Sequence, residues 1–181
     1  MVTSPRVVLL DRDGVINVDR TASVLSAAEF VLIPGSLAAL VALTRAGWLV
    51  AVVTNQACIG RGQVSAEVVA QIHADLSAAV VAAGGQSLRF YISTSADPAD
   101  PERKPRPGLI HRAQSELGFE PTTTWLLGDA ERDAQAAIAA GVRPALVLTG
   151  KGRAAHAAMP AVPVFADLST FATALLEGSL P

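Results

Sequence analysis

The sequence holds a single cysteine, Cys58, in 181 residues. No disulfide framework and no cysteine-built zinc site can therefore form within the chain. Aromatic residues supply only 4% and charged residues 17%, against 51% hydrophobic. So little charge beside so much apolar material excludes a disordered polar chain. Neither sign of charge is in surplus: 14 Lys and Arg face 16 Asp and Glu, for a formal net charge of −2. A basic footprint for nucleic acid or an anionic membrane surface is thus missing. Long hydrophobic runs are missing too. Mean hydropathy is +0.41, yet Pro34, Gly35, Arg45 and Gly47 interrupt the apolar stretches before the ~20 residues of a bilayer span. The N-terminal MVTSPRVVLLD carries one positive charge and a short apolar run ending at Asp11, too little for a signal peptide. These absences predict a soluble, cytoplasmic protein without nucleic-acid or membrane partners, either a monomer or a small homo-oligomer. The length fits one domain over residues 1–181 with a sizeable core.

What is present is an alternation of short β-branched runs with longer alanine- and leucine-rich stretches. Continuous apolar runs predict strands at 7–10, 49–53, 88–92, 125–127 and 145–148, with a short piece at 162–165. Helical spacing predicts helices at 36–46, from Ser65 to about Ala83, at 108–117, at 132–140 and at about 168–176, several of them closed by glycine. Residues 93–107 (STSADPADPERKPRP) read as a polar, proline-rich loop. Strands apolar throughout and alternating with helices imply an α/β fold, a doubly wound parallel sheet covered on both faces.

Ligands of open α/β sheets bind outside the carboxyl ends of the strands. The informative polar residues fall there: Asp11 and Asp13 after the first strand, Thr54 and Asn55 after the second. Lys104 follows the third strand and its loop; Asp129 and Asp133 follow the fourth. Each alone also suits a helix cap or a turn. Together they put carboxylates, a hydroxyl and a lysine on one rim. Clustered carboxylates repel one another without a cation, and hard oxygen ligands favour Mg²⁺. A phosphate beside them needs positive charge and oriented donors, and an aspartate is an established phosphoryl acceptor. Magnesium-assisted phosphoryl transfer is the chemistry that suits the rim. Gly14, directly after the paired acids, allows a sharp turn and a close backbone approach to a phosphate.

DRDGVIN at 11–17, TNQACIGRG at 54–62, RKPRPG at 103–108 and GDAERD at 128–133 resemble the four motifs of the haloacid dehalogenase (HAD) superfamily, in the same order. The combination is most similar to the heptose-bisphosphate 7-phosphatases and the related histidinol-phosphate phosphatases. The resemblance implies a Rossmann-like core, Mg²⁺ as cofactor and a small phosphorylated sugar or similar metabolite as substrate. It implies that Asp11 attacks phosphorus and that Asp13 is first acid to the leaving alkoxide and then base to water. Thr54 and Lys104 would hold the transferring group. The metal would sit on the carboxylates of Asp11 and Asp129 and the main-chain carbonyl of Asp13, with Asp133 supporting its water shell. Asn55, Arg61, Arg103 and Gly14 would shape and contact the substrate loop. Heptose 1,7-bisphosphate leads as substrate, histidinol phosphate being the alternative. From other classes, a phosphorylatable receiver or a non-catalytic HAD-like binding protein remains open.

Two departures stand out. Relatives of this type carry a zinc knuckle of three cysteines and a histidine before RKPxPG; here that loop has neither, so no structural zinc is expected, and order must come from prolines, caps, Asp97, Asp100 and Glu102. Ala130 stands where relatives often have Lys or Ser. The spacing of the motifs also leaves no room for a separate cap domain, so loops 18–31, 57–64 and 93–103 are expected to cover the site. Cys58 reads as a passive small residue, and His73, His111 and His156 as surface residues. Trp48 and Trp125 read as core or sheet-edge anchors.

Overall fold

The computed structural model describes residues 4–181, so the first three residues of the N-terminal segment lie outside the described part. Six strands form one sheet: β1 (Val7–Leu10), β2 (Leu49–Asn55), β3 (Arg89–Ser93), β4 (Trp125–Gly128), β5 (Arg143–Val147) and β6 (Val164–Phe165). All pair in parallel, in the order β3-β2-β1-β4-β5-β6. The helices are α1 (Ser36–Arg45), α2 (Ala57–Gly60), α3 (Ala66–Ala82), α4 (Gly108–Leu117), α5 (Glu131–Ala139), α6 (Gly152–Ala158) and α7 (Leu168–Glu177).

Strand side chains alternate between faces, and here both faces are covered. Val8, Leu10, Val50, Val52, Trp125 and Leu127 pack with Leu40 and Leu43 of α1, Leu76 of α3 and Phe171 of α7. Val7, Leu9, Ala51, Val53 and Leu126 pack with Leu109 and Ile110 of α4 and Ala136 and Ala137 of α5. Every residue of β1 is buried, which is why its sequence is an unbroken apolar run rather than an alternation. Trp125 lies in this core at 5% exposure, edge-on to Phe171.

The predicted strands and helices are all present, with ends shifted by a residue or two. Helix α6, GRAAHAA, has no counterpart in the sequence reading, because its small residues give no apolar period. The 57–64 loop begins as the helical turn α2. Between β1 and β2 the chain forms only α1 and a 3₁₀ turn at Ala27–Glu29, and between β2 and β3 only α2 and α3. Among the described residues, no helix is long and apolar enough to cross a membrane.

Candidate active site

Because β1 and β4 are neighbours, Asp11 at the end of one and Asp129 after the other face each other. Asp133 follows on the first turn of α5. Carboxylate oxygens of Asp11, Asp129 and Asp133 lie within 4.8 Å of one another, and all three residues are buried. One cation answers them: Lys104 Nζ donates to Asp11 Oδ1 at 2.8 Å and to the Val53 carbonyl at 2.7 Å, and pairs with Asp133 Oδ1 at 2.7 Å. Burial pushes the Asp11 carboxyl above the ordinary range; Lys104 draws it back, and Asp133 and Asp13 push it up again. Burial and the charge of Asp11 push Asp129 up to about 7.

Asp129 Oδ2 accepts from the Lys151 amide at 2.8 Å, whereas Asp129 Oδ1 is buried without a hydrogen-bond partner. A buried carboxylate oxygen with no donor, beside two further carboxylates and one lysine, is a place for a hard cation. Mg²⁺ fits this donor set. Asp133 Oδ2 accepts from the Ala130 amide at 3.0 Å, and Asp133 Oδ1, without a hydrogen-bond partner of its own, lies 2.7 Å from Lys104 Nζ as an ion pair, so this residue ties the lysine to the acidic cluster.

Asp13 points elsewhere. Its carboxylate is absent from that cluster and is 22% exposed toward a cavity of about 120 Å³, lined by Asp13, Asn55, Gln56, Arg61, Arg103 and Arg132 among others. Asp13 accepts from Arg12 Nη2 at 2.9 and 3.0 Å, from Asn17 Nδ2 at 2.9 Å and from Gln56 Nε2 at 2.9 Å. Burial raises its pKa, but the Arg12 charge and the bonds from Asn17, Arg12 and Gln56 outweigh that and hold it below the ordinary value. Gln56 Nε2 also donates to Thr54 Oγ at 2.9 Å, linking the hydroxyl to the acid.

Asn55 uses its amide on both main-chain groups of Lys104, at 2.9 and 3.0 Å. It thereby fixes the lysine loop to the end of β2. The rest of the loop carries local caps: Asp97 accepts from the Ala99 amide and Asp100 from the Glu102 amide, both at 2.8 Å. Glu102 pairs with Arg112 through both oxygens, and Arg103 donates to the Ser95 carbonyl at 2.9 Å. Gly14, at φ +86°, leaves room that a Cβ would take from the Asp129 carboxylate. Its amide is already bonded to the Asn17 carbonyl at 2.7 Å, so it contributes space rather than a free donor.

Several residues of the site escaped the sequence reading. Arg132, inside GDAERD, lines the cavity with a buried, unpartnered Nε. Burial and the nearby charges of Arg132 and Arg61 lower the pKa of Arg103, and the three guanidinium groups line one cavity. Thr149 donates to the Gly14 carbonyl, and Gly150 packs so close to Asp129 and Gly14 that no side chain fits. The available signal was the Gly150-Lys151-Gly152 spacing. The expectation for the histidines needs one correction: His73 is 3% exposed, buried because its ring stacks on Phe90 and its Nε2 meets Arg12. His111 is exposed and His156 half-buried. Cys58 is buried, its Sγ 3.7 Å from Gln56 Oε1.

Comparison with known proteins bears directly on this arrangement. A HAD-hydrolase-like family model matches residues 102–171. The D-glycero-beta-D-manno-heptose-1,7-bisphosphate 7-phosphatase of Neisseria meningitidis serogroup B is 43% identical over 150 residues, covering 82% of this chain and 80% of the relative. The chain belongs to the HAD superfamily. The same-named enzyme of Pseudomonas aeruginosa is 38% identical across 96% of this chain and 99% of its own. In structure, this HAD protein superposes on the D,D-heptose 1,7-bisphosphate phosphatase of B. bronchiseptica, solved with magnesium and phosphate. That TM-score is 0.90 at 35% identity, covering 96% of this chain and 99% of the other.

Proposed function

We propose that this HAD hydrolase is a Mg²⁺-dependent phosphomonoesterase that removes the 7-phosphate of D-glycero-β-D-manno-heptose 1,7-bisphosphate. The observation that carries the reading is a two-ended site. A buried cluster of Asp11, Asp129 and Lys104, in which Asp129 Oδ1 has no hydrogen-bond partner, neighbours a cavity lined by Asp13 and three arginines. The cluster suits a phosphoryl group in transfer, and the cavity suits a second phosphate on the same molecule. The names of relatives at 43% and 38% identity supply the sugar.

Asp11 and Asp129, with the main-chain carbonyl of Asp13, would hold Mg²⁺, which when bound offsets the charge of the phosphoryl oxygens and the nucleophile. Asp11 attacks phosphorus, the bond from phosphorus to the sugar oxygen breaks, and that oxygen takes a proton from Asp13. Asp13 stands here in a setting that favours its carboxylate; the approach of a phosphate dianion opposes a second negative charge and favours proton uptake. In the second half Asp13 takes a proton from water, the water oxygen bonds phosphorus, and the bond to Asp11 breaks. Lys104 holds Asp11 in place and Thr54 donates to the transferring oxygens.

The test is a panel of phosphorylated metabolites assayed with wild type and Arg132→Ala. Heptose 1,7-bisphosphate should be the best substrate. Arg132→Ala should raise its KM by about 10- to 100-fold, the weight of a charge-assisted contact, while leaving a monophosphate nearly unaffected. A best rate on histidinol phosphate, with the bisphosphate ignored, would sink this reading.

A further inference from the structure

Arg12 is the largest fully buried side chain among the described residues, and the mechanism just described gives it no chemical task. Its guanidinium spans two elements distant in sequence. One edge holds Asp13, through Nη2 at 2.9 and 3.0 Å and Nε at 3.3 Å. Nη1 lies 3.2 Å from His73 Nε2 on α3, and the Phe30 ring lies 5.6 Å from the guanidinium carbon.

A guanidinium has donors and no lone pair. The contact therefore requires His73 to be neutral and to present Nε2 as acceptor, with its proton on Nδ1. Burial and the Arg12 charge, opposed by Asp13, push the His73 pKa down to about 3, so the acceptor form persists across the physiological range. The ring is itself clamped, stacked on Phe90 of β3 at 4.4 Å between centroids and 7° between planes. A planar fork held at both edges has one orientation. Without the acceptor, Nη1 would carry an unmet buried donor and the fork could rotate away from Asp13.

We infer that His73 is a positioning residue for the acid–base step: its Nε2 fixes the Arg12 guanidinium that aligns the Asp13 carboxyl with the leaving oxygen. The inference rests on the proposed phosphatase reading. It also makes an asymmetric demand. A sugar alkoxide needs a proton to depart, and a p-nitrophenolate does not. Loss of Asp13 alignment should therefore lower kcat/KM, which reports phosphorylation of Asp11, for a sugar phosphate and spare it for an aryl phosphate, whereas general damage to the site lowers both. The base step toward water is common to the two substrates and enters kcat.

Two variants separate acceptor from packing. His73→Phe keeps a ring over Phe90 and removes the acceptor; His73→Gln keeps an acceptor and removes the ring. With heptose 1,7-bisphosphate, kcat/KM of His73→Phe should fall by about 10- to 100-fold, within the range of positioned acid catalysis, and His73→Gln should restore most of it. With p-nitrophenyl phosphate kcat/KM of both variants should match wild type. Equal losses on the two substrates, or activity that follows the ring instead of the acceptor, would overturn the inference and leave the phosphatase reading standing. A wild type inert on both substrates would overturn that reading itself.

Discussion

Asp11→Asn is expected to lower phosphate release by at least about 10⁴-fold, because it removes the nucleophile rather than an accessory contact. The protein should nevertheless fold. Asparagine has the shape of aspartate and retains an oxygen for Lys104 Nζ, now 2.8 Å from Asp11 Oδ1. Neutralising this position also relieves a crowded set of charges: burial and the nearby Asp133 and Asp13 already disfavour ionised Asp11. Thermal unfolding should therefore shift little while activity disappears. Phosphate-release assays and melting curves on one preparation check both halves. Activity within tenfold of wild type would remove Asp11 from the chemistry.

Lys104→Met is expected to cost both stability and activity. The side chain is buried against three oxygen acceptors, two of them carboxylates. Burial alone would lower its pKa, but Asp11 and Asp133 raise it, in that order, so that it stays charged. Methionine fills similar space yet leaves the acids without their counterion. Removing one partner of a buried pair costs roughly 3–5 kcal/mol. The penalty should depend on pH in a definite direction. Asp11 already has a raised pKa, and without Lys104 its folded-state value rises further above its unfolded one. The variant is then relatively stable in acid, where Asp11 is protonated, and loses stability as pH rises through that value. Denaturant titrations of the metal-free protein at acid and neutral pH should show the deficit against wild type growing toward neutrality. A deficit independent of pH would indicate lost packing rather than lost charge balance.

Much of this was legible in the sequence for a simple reason. A strand buried on both faces must be an unbroken apolar run, and its end is marked by the first polar residue. Asp11, Thr54 and Asp129 are such ends, so their convergence on one rim followed from the order of elements. The sequence was silent where partners are remote or where the backbone acts. His73 meets Arg12 across 61 positions, and a histidine in a helix gives no sign of which face it occupies. Arg132 enters the sequence reading only as the start of the helix at 132–140, and nothing there marks its place beside Arg61 and Arg103. The loop at Thr149–Gly150 serves by closeness, and Lys151 holds Asp129 with its amide rather than its side chain. Helix α6, four alanines with Gly152, Arg153 and His156, carries no apolar period. The loop before Lys104 shows the converse: the polar residues expected to contribute to its order, Asp97, Asp100 and Glu102, make local caps and an ion pair.

The central claim is that Asp11 carries the phosphoryl group between two half-reactions. Acid-quenching wild type and Asp13→Asn during turnover of heptose 1,7-bisphosphate, then mapping phosphorylated peptides by mass spectrometry, tests it most directly. The account predicts one phosphoryl group on Asp11, formed only when Mg²⁺ is supplied and lost again as the wild-type reaction completes. Turnover without any phosphorylated Asp11, or with the label on another residue, would contradict it.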